Sequence, residues 1–99
     1  MATYELSRKA DQDLAEIYHY SYETFGEDQA DKYFQDLDNC LENLANHPLQ
    51  GRSADDIEEG IYRYQYTSHV IFYVTSPSGI FVARILYKSM DHKYHFGGY

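Results

Sequence analysis

The stretch GIYRYQYTSHVIFYVTSPSGIFVARILY, residues 60–87, decides the fold. Tyr62, Tyr64 and Tyr66 alternate with Arg63 and Gln65, the period of two expected of a strand with one buried face. His69 to Val74 is almost continuously apolar and rich in β-branched and aromatic side chains, and Ile80 to Tyr87 repeats that character. Breaks near Ser68 and at Pro77 to Gly79 are short enough to be hairpin turns, so three antiparallel strands are predicted. Immediately upstream, residues 49–60, LQGRSADDIEEG, are polar and acidic and read as a loop or irregular turn.

The period changes on the N-terminal side of that loop. Ala10, Leu14, Ile17, Ser21 and Phe25, with Tyr18 beside them, recur at spacings of three and four and lay one apolar stripe along a helix. Ser7 suits its N-cap, because a hydroxyl can accept from an orphan backbone N–H of the first turn. Gly26 can close the helix through a positive φ. Glu27 and Asp28 favour the start of a second helix, on which Ala30, Tyr33, Phe34, Leu37, Leu41, Leu44 and Ala45 continue the pattern until Pro48 forbids extension. So short a connection makes the two helices antiparallel neighbours. Residues 2–6 alternate weakly and suit a short edge strand. The expected architecture is α+β: an N-terminal strand, then an antiparallel helical hairpin packed on a mainly antiparallel sheet, in the order β-α-α-β-β-β.

The chain's 99 residues allow one domain, 1–99, in which residues 88–99 form an aperiodic C-terminal tail expected to wrap the surface or stay mobile. The start of the chain lacks the apolar centre of a signal peptide and no apolar run is long enough to span a bilayer, so a cytoplasmic protein without membrane contact is expected. Cys40 falls within a helical apolar pattern and reads as a buried reduced thiol. The net charge of -8, from 16 acidic residues against 8 Lys and Arg, repels nucleic acid.

The segments YELS (4–7), ADQDLAEI (10–17), FGEDQADKY (25–33), LANHPLQG (44–51), SHVIFY (68–73) and RILYKSMD (84–91) follow one another in an order and spacing that resemble the ParE toxins of the RelE/ParE type II toxin–antitoxin superfamily, from about Tyr4 to His92. The resemblance implies a RelE/ParE-like fold and a toxin neutralised by a cognate antitoxin, with DNA gyrase as the usual target. It also implies an oligomer with that antitoxin, whose helical or extended segment orders on an apolar groove and sheet edge. Two positions depart from the family's pattern. Tyr62-Arg63 stands where a basic pair is usual, and Tyr87 where a histidine is usual.

Three functions are open at this point. A toxin that inhibits gyrase by binding needs no catalytic group, and its target surface is expected at Arg63, Arg84, Lys88, Met90 and His92, which bring cations and an adaptable thioether to the end of the sheet. A ribosome-dependent endoribonuclease of the RelE type needs a base for the 2′-hydroxyl, an acid for the leaving oxygen and cations for the phosphate, for which His69, Arg84 and Tyr87 are the candidates. The third is an attenuated member that acts mainly as antitoxin partner. An alternative role for Arg84 is an ion pair with the acidic segment from Asp55 to Glu59, whose four carboxylates are alternatively read as imitating DNA phosphate on gyrase. His92 and His95 lack a rigid third ligand, so no metal is expected, and no cofactor-binding motif is present.

Overall fold

The computed structural model describes residues 2–96. Strand β1 (Thr3–Leu6) leads into helices α1 (Arg8–Phe25) and α2 (Glu27–Asn46), then β2 (Arg52–Ser53), β3 (Tyr62–Tyr66), β4 (His69–Ser76) and β5 (Gly79–Tyr87). The strands lie in the order β1-β5-β4-β3-β2. β1 runs parallel to β5, and the other neighbours are antiparallel. The expected α+β architecture is therefore present, with β1 at one edge. The 49–60 segment, expected as loop, contributes the short β2 at the other, where Arg52 and Ser53 pair with Arg63 and Tyr62.

Local chemistry sets the helix boundaries. Ser7 Oγ accepts from the Ala10 N–H at 2.9 Å and donates to the Ala83 carbonyl at 2.6 Å, so the N-cap of α1 is also fastened to β5. Gly26, at φ 92°, ends α1 by donating to the Tyr22 carbonyl, and its own carbonyl accepts from Ala30 to begin α2. A one-residue joint folds the helices back on each other.

The apolar stripes then meet the sheet. Ala10 and Leu14 of α1 and Leu37, Leu41 and Leu44 of α2 pack on Ile71, Tyr73, Ile80, Val82 and Ile85. Tyr62, Tyr64 and Tyr66 pack against this cluster from β3, so the tyrosine row faces the helices. Phe25 ends the α1 stripe outside the core, 60% exposed. Cys40 is half-buried against the same cluster, and burial raises its thiol pKa.

A second cluster occupies the other face of the sheet. Ala54 and Ile61, from the segment after β2, cover Val70, Phe72, Ala83 and Leu86. The tail adds to it: the 3₁₀ turn Lys93–His95 brings Phe96 edge-on to Phe72, with ring centroids 4.9 Å apart. The tail thus wraps the surface through residue 96, and its last three residues lie outside the described ones.

Tyr73 links the two halves of the chain. Buried in the core, it donates its hydroxyl to the Pro48 carbonyl at 2.7 Å and accepts from the Gly51 N–H at 3.0 Å. A Cβ at Gly51 would lie 2.5 Å from that hydroxyl oxygen, so close approach, rather than a positive φ, requires glycine here. No helix among the described residues is long and apolar enough to cross a membrane.

Candidate functional site

β1 is shorter than the strand it accompanies. Its pairing with β5 stops at Leu6 and Val82, where the chain turns away into α1, so among the described residues β5 continues to Tyr87 without a strand on that side. The gap between this free edge and the hairpin is a groove of about 740 Å³. Ile17 and Tyr20 of α1, Tyr33 of α2 and Ile85 and Tyr87 of β5 line it, and Met90 stands at its end. Tyr20, Phe25, Tyr87 and Met90, 66%, 60%, 44% and 45% exposed, form an apolar rim. Exposed apolar side chains around a concavity suit contact with another molecule.

Arg84 also lines the groove. A register shift lies between Phe72 and Tyr73, which pair with Arg84 and Val82, leaving Ala83 as the extra residue. The bulge lets Val82 and Ile85 both face the helices and re-aims the side chain between them. The Arg84 guanidinium donates from Nε and Nη2 to the two oxygens of Asp13, at 2.8 and 2.9 Å, and from Nη1 to the His95 carbonyl at 2.8 Å. Asp13 also accepts the Ile85 N–H at 3.0 Å, the position on the free edge where a further strand would bond. Hydrogen bonding to the Asp13 carboxylate, helped by its charge, raises the Arg84 pKa against the opposing effect of burial.

The expected pairing of Arg84 with the Asp55 to Glu59 segment is therefore incorrect. Asp13 holds Arg84, and the acidic segment pairs with Arg63 instead, Nη2 to Asp56 Oδ1 at 3.1 Å. Asp55 also has a local partner, accepting from the Gly60 N–H at 2.9 Å.

His69, on β4, pairs in register with Tyr87 and also lines the groove. Its Nδ1 lies 2.7 Å from the Tyr33 hydroxyl, which is 2.8 Å from Thr67 Oγ1. Burial lowers the His69 pKa, against the smaller effect of the Asp13 charge, so the imidazole is neutral near pH 7. A neutral Nδ1 accepting from Tyr33, with Thr67 donating to Tyr33 in turn, satisfies all three groups. The Tyr87 ring stands edge-on to His69, with centroids 5.8 Å apart.

The residues proposed from sequence divide between locations. His69, Arg84, Tyr87 and Met90 line the groove together. Arg63 pairs in register with Phe72 and lies on the sheet face away from the helices. His92 donates to the Tyr87 carbonyl at 3.1 Å and rests against the Phe72 ring, and Lys88 is exposed just past the strand. Arg63, Arg84, Lys88, Met90 and His92 therefore do not form one surface.

Asp13 and Tyr33 were not singled out as functional from sequence. Asp13 had a signal: it lies three residues after Ala10 and four before Ile17, a carboxylate within an apolar stripe, which needs a buried partner. Tyr33 had none, because its spacing reads equally well as core.

Comparison with known proteins agrees with this geometry. The family described as "ParE toxin of type II toxin-antitoxin system, parDE" matches residues 4–92. Toxin ParE1 of Caulobacter vibrioides is 35% identical over 97 residues, which cover 98% of this chain and 100% of that one. Toxin ParE1 of Mycobacterium tuberculosis is 37% identical over 89 residues, 89% of this chain and 91% of that one. A solved structure described as "Chromosomal ParDE TA system from P. aeruginosa" shares the fold, with a TM-score of 0.74 at 22% identity, covering 88% of this chain and 96% of that chain. Matched along nearly its whole length, the chain belongs to the ParE toxin family of type II toxin–antitoxin systems.

Proposed function

We propose that the protein is a toxin that acts by binding DNA gyrase, without a catalytic step, and that a cognate antitoxin neutralises it by occupying the groove. The commitment of Arg84 to Asp13 carries the non-catalytic part of this reading. An endoribonuclease needs a cation free to meet the pentavalent phosphate and a base free to take a proton. Arg84 directs donors from all three guanidinium nitrogens to Asp13 and the His95 carbonyl, and His69 is hydrogen-bonded to Tyr33 in a desolvated position. Family membership supports gyrase as the target, which the acidic surface is suited to meet as a protein rather than as nucleic acid.

The groove suits an antitoxin segment for two reasons. Its apolar rim matches an amphipathic helix, and the end of β5 past the Ile85 N–H, which Asp13 holds, leaves room beside Tyr87 for an extended stretch. Such a segment orders on binding and covers Tyr20, Tyr87 and Met90. Toxin and antitoxin are then co-purified as an oligomer, in the cytoplasm.

Purified protein tested against gyrase supercoiling, beside a translation reaction in which message integrity is followed, decides between the functions. Lost supercoiling or trapped cleaved DNA with intact messages is expected. Cut messages with normal supercoiling would establish the ribonuclease, with His69, Arg84 and Tyr87 as its groups. No effect in either assay, with tight antitoxin binding, would identify an attenuated partner.

A further inference from the structure

The two helices carry a second aromatic surface outside the groove. Tyr18 and Tyr22, one turn apart on α1, and Phe34 on α2 form it, with ring centroids 6.4 Å and 5.9 Å from Tyr18 and the Phe34 ring edge-on to it at 90°. Tyr22 is 47% and Phe34 42% exposed, and none of the three rings lines the groove. The Tyr18 hydroxyl donates to Asp31 Oδ1 at 2.6 Å, fixing the ring across the hairpin. That bond, then burial and the Asp31 and Glu27 charges, pushes its pKa up to about 12.

The surroundings of these rings are negative. Ten of the 16 acidic residues but three of the eight cations lie in α1 and α2, and one of those cations, Lys32, is paired with Asp36 at 3.2 Å. The helices thus hold most of the chain's net charge of -8. A purely apolar partner would strip water from carboxylates and leave them without donors. Nucleic acid is repelled. A guanidinium meets both requirements, because its flat, weakly hydrated face stacks on aromatic rings while its N–H groups reach carboxylate oxygens.

We propose that this face docks an arginine-bearing segment of a partner protein, with guanidinium groups stacked on Tyr18, Tyr22 and Phe34 and donating to Glu27 and Asp31. The site is separate from the groove, so the protein can hold two protein segments at once.

The test is fluorescence anisotropy of the intact protein titrated, at low salt, into a labelled peptide of alternating Arg and Ala, with a Lys–Ala peptide of equal length and charge as comparator. The Arg peptide is expected to bind about fivefold more tightly, the difference that ring stacking of roughly 1 kcal/mol provides. Tyr22→Ser combined with Phe34→Ser removes that preference, whereas Leu49→Ser, at an exposed apolar residue elsewhere, retains it. Equal affinity for the two peptides, or an Arg preference that survives in the double variant, overturns the proposal. Should the double variant lose its helical circular dichroism, amide shifts on the unaltered protein decide instead. Arg-peptide shifts centred on Tyr18, Tyr22 and Phe34 support the site, and shifts centred on Ile85 and Tyr87 of the groove overturn it.

Discussion

Arg84 and Asp13, 71 positions apart, form a two-point ion pair in which Nε and Nη2 each donate to one carboxylate oxygen. The side chains are only 12% and 9% exposed, so water screens the pair little. The same two residues take up the Ile85 N–H and the His95 carbonyl, and thereby join α1, β5 and the tail. Breaking one partner leaves a buried charge, and Asp13→Ala is expected to lower stability by about 3–5 kcal/mol. Replacing both by apolar residues, Asp13→Leu with Arg84→Met, should cost much less than the sum of the single changes. Urea unfolding of the four proteins measures this. Additive losses would show that the residues act independently.

Tyr73 tests the joint between the helical hairpin and the sheet. Tyr73→Phe removes the bonds to the Pro48 carbonyl and Gly51 N–H and should cost about 1–3 kcal/mol, because a buried group loses its partner. Gly51→Ala forces a Cβ against the hydroxyl of Tyr73 and the carbonyl of Arg63 and should also destabilise. In Tyr73→Phe that second loss should shrink, since the hydroxyl is gone. Equal effects of Gly51→Ala in both backgrounds would place the crowding at the Arg63 carbonyl and the ring edge of residue 73 rather than at the hydroxyl.

The depressed pKa of His69 links stability to pH. The unfolded chain binds its proton near the ordinary value of 6.5, while the folded chain binds it only at lower pH. Between those values the unfolded state holds more protons, so this contribution is full above 6.5 and is lost as pH falls towards the folded pKa. His69→Gln should therefore flatten the decline in chemical stability between pH 7 and pH 5 relative to the unaltered protein. Parallel pH profiles for the two proteins would contradict this.

Antitoxin capture should depend on the groove's rim. Tyr20→Ala and Met90→Ala remove exposed apolar side chains without touching the core, and each is expected to weaken antitoxin binding about tenfold, the loss of roughly 1.4 kcal/mol at a contact residue. Calorimetric titration with the cognate antitoxin measures it. Unchanged affinity in both variants would place the antitoxin elsewhere.

Leu41 provides a reference for the core. It is fully buried between α2 and the sheet, and Leu41→Ala should cost about 2–5 kcal/mol by loss of burial and creation of a cavity. Thermal unfolding checks the size. A smaller loss would mean that the hairpin closes over the gap.

Much of the fold is legible in the chain because it depends on neighbours in sequence. The three-and-four spacing from Ala10 to Ile17 and from Ala30 to Ala45 defines two helices, Ser7 and Gly26 mark their ends, and the alternation from Tyr62 to Tyr66 sets β3 with its tyrosines facing the helices. The two residues of β2 are too few to show a period, so they read as loop.

The site depended on contacts that sequence spacing does not encode. His69, Arg84, Tyr87 and Met90 could be picked out as polar or adaptable side chains near the strand ends, and four-residue β1 leaves them beside an open edge. Which of them is free was settled only by folding: a bulge at Ala83 turns Arg84 towards Asp13, and Tyr33 comes within hydrogen-bond reach of His69 across 36 positions. The sequence by itself determined which segments become helix or strand and which of their faces are buried, because backbone geometry converts spacing directly into a face. The tertiary structure alone decided which charges are neutralised and where the groove opens, because a buried ion pair or a free strand edge depends on which distant residue packs against it.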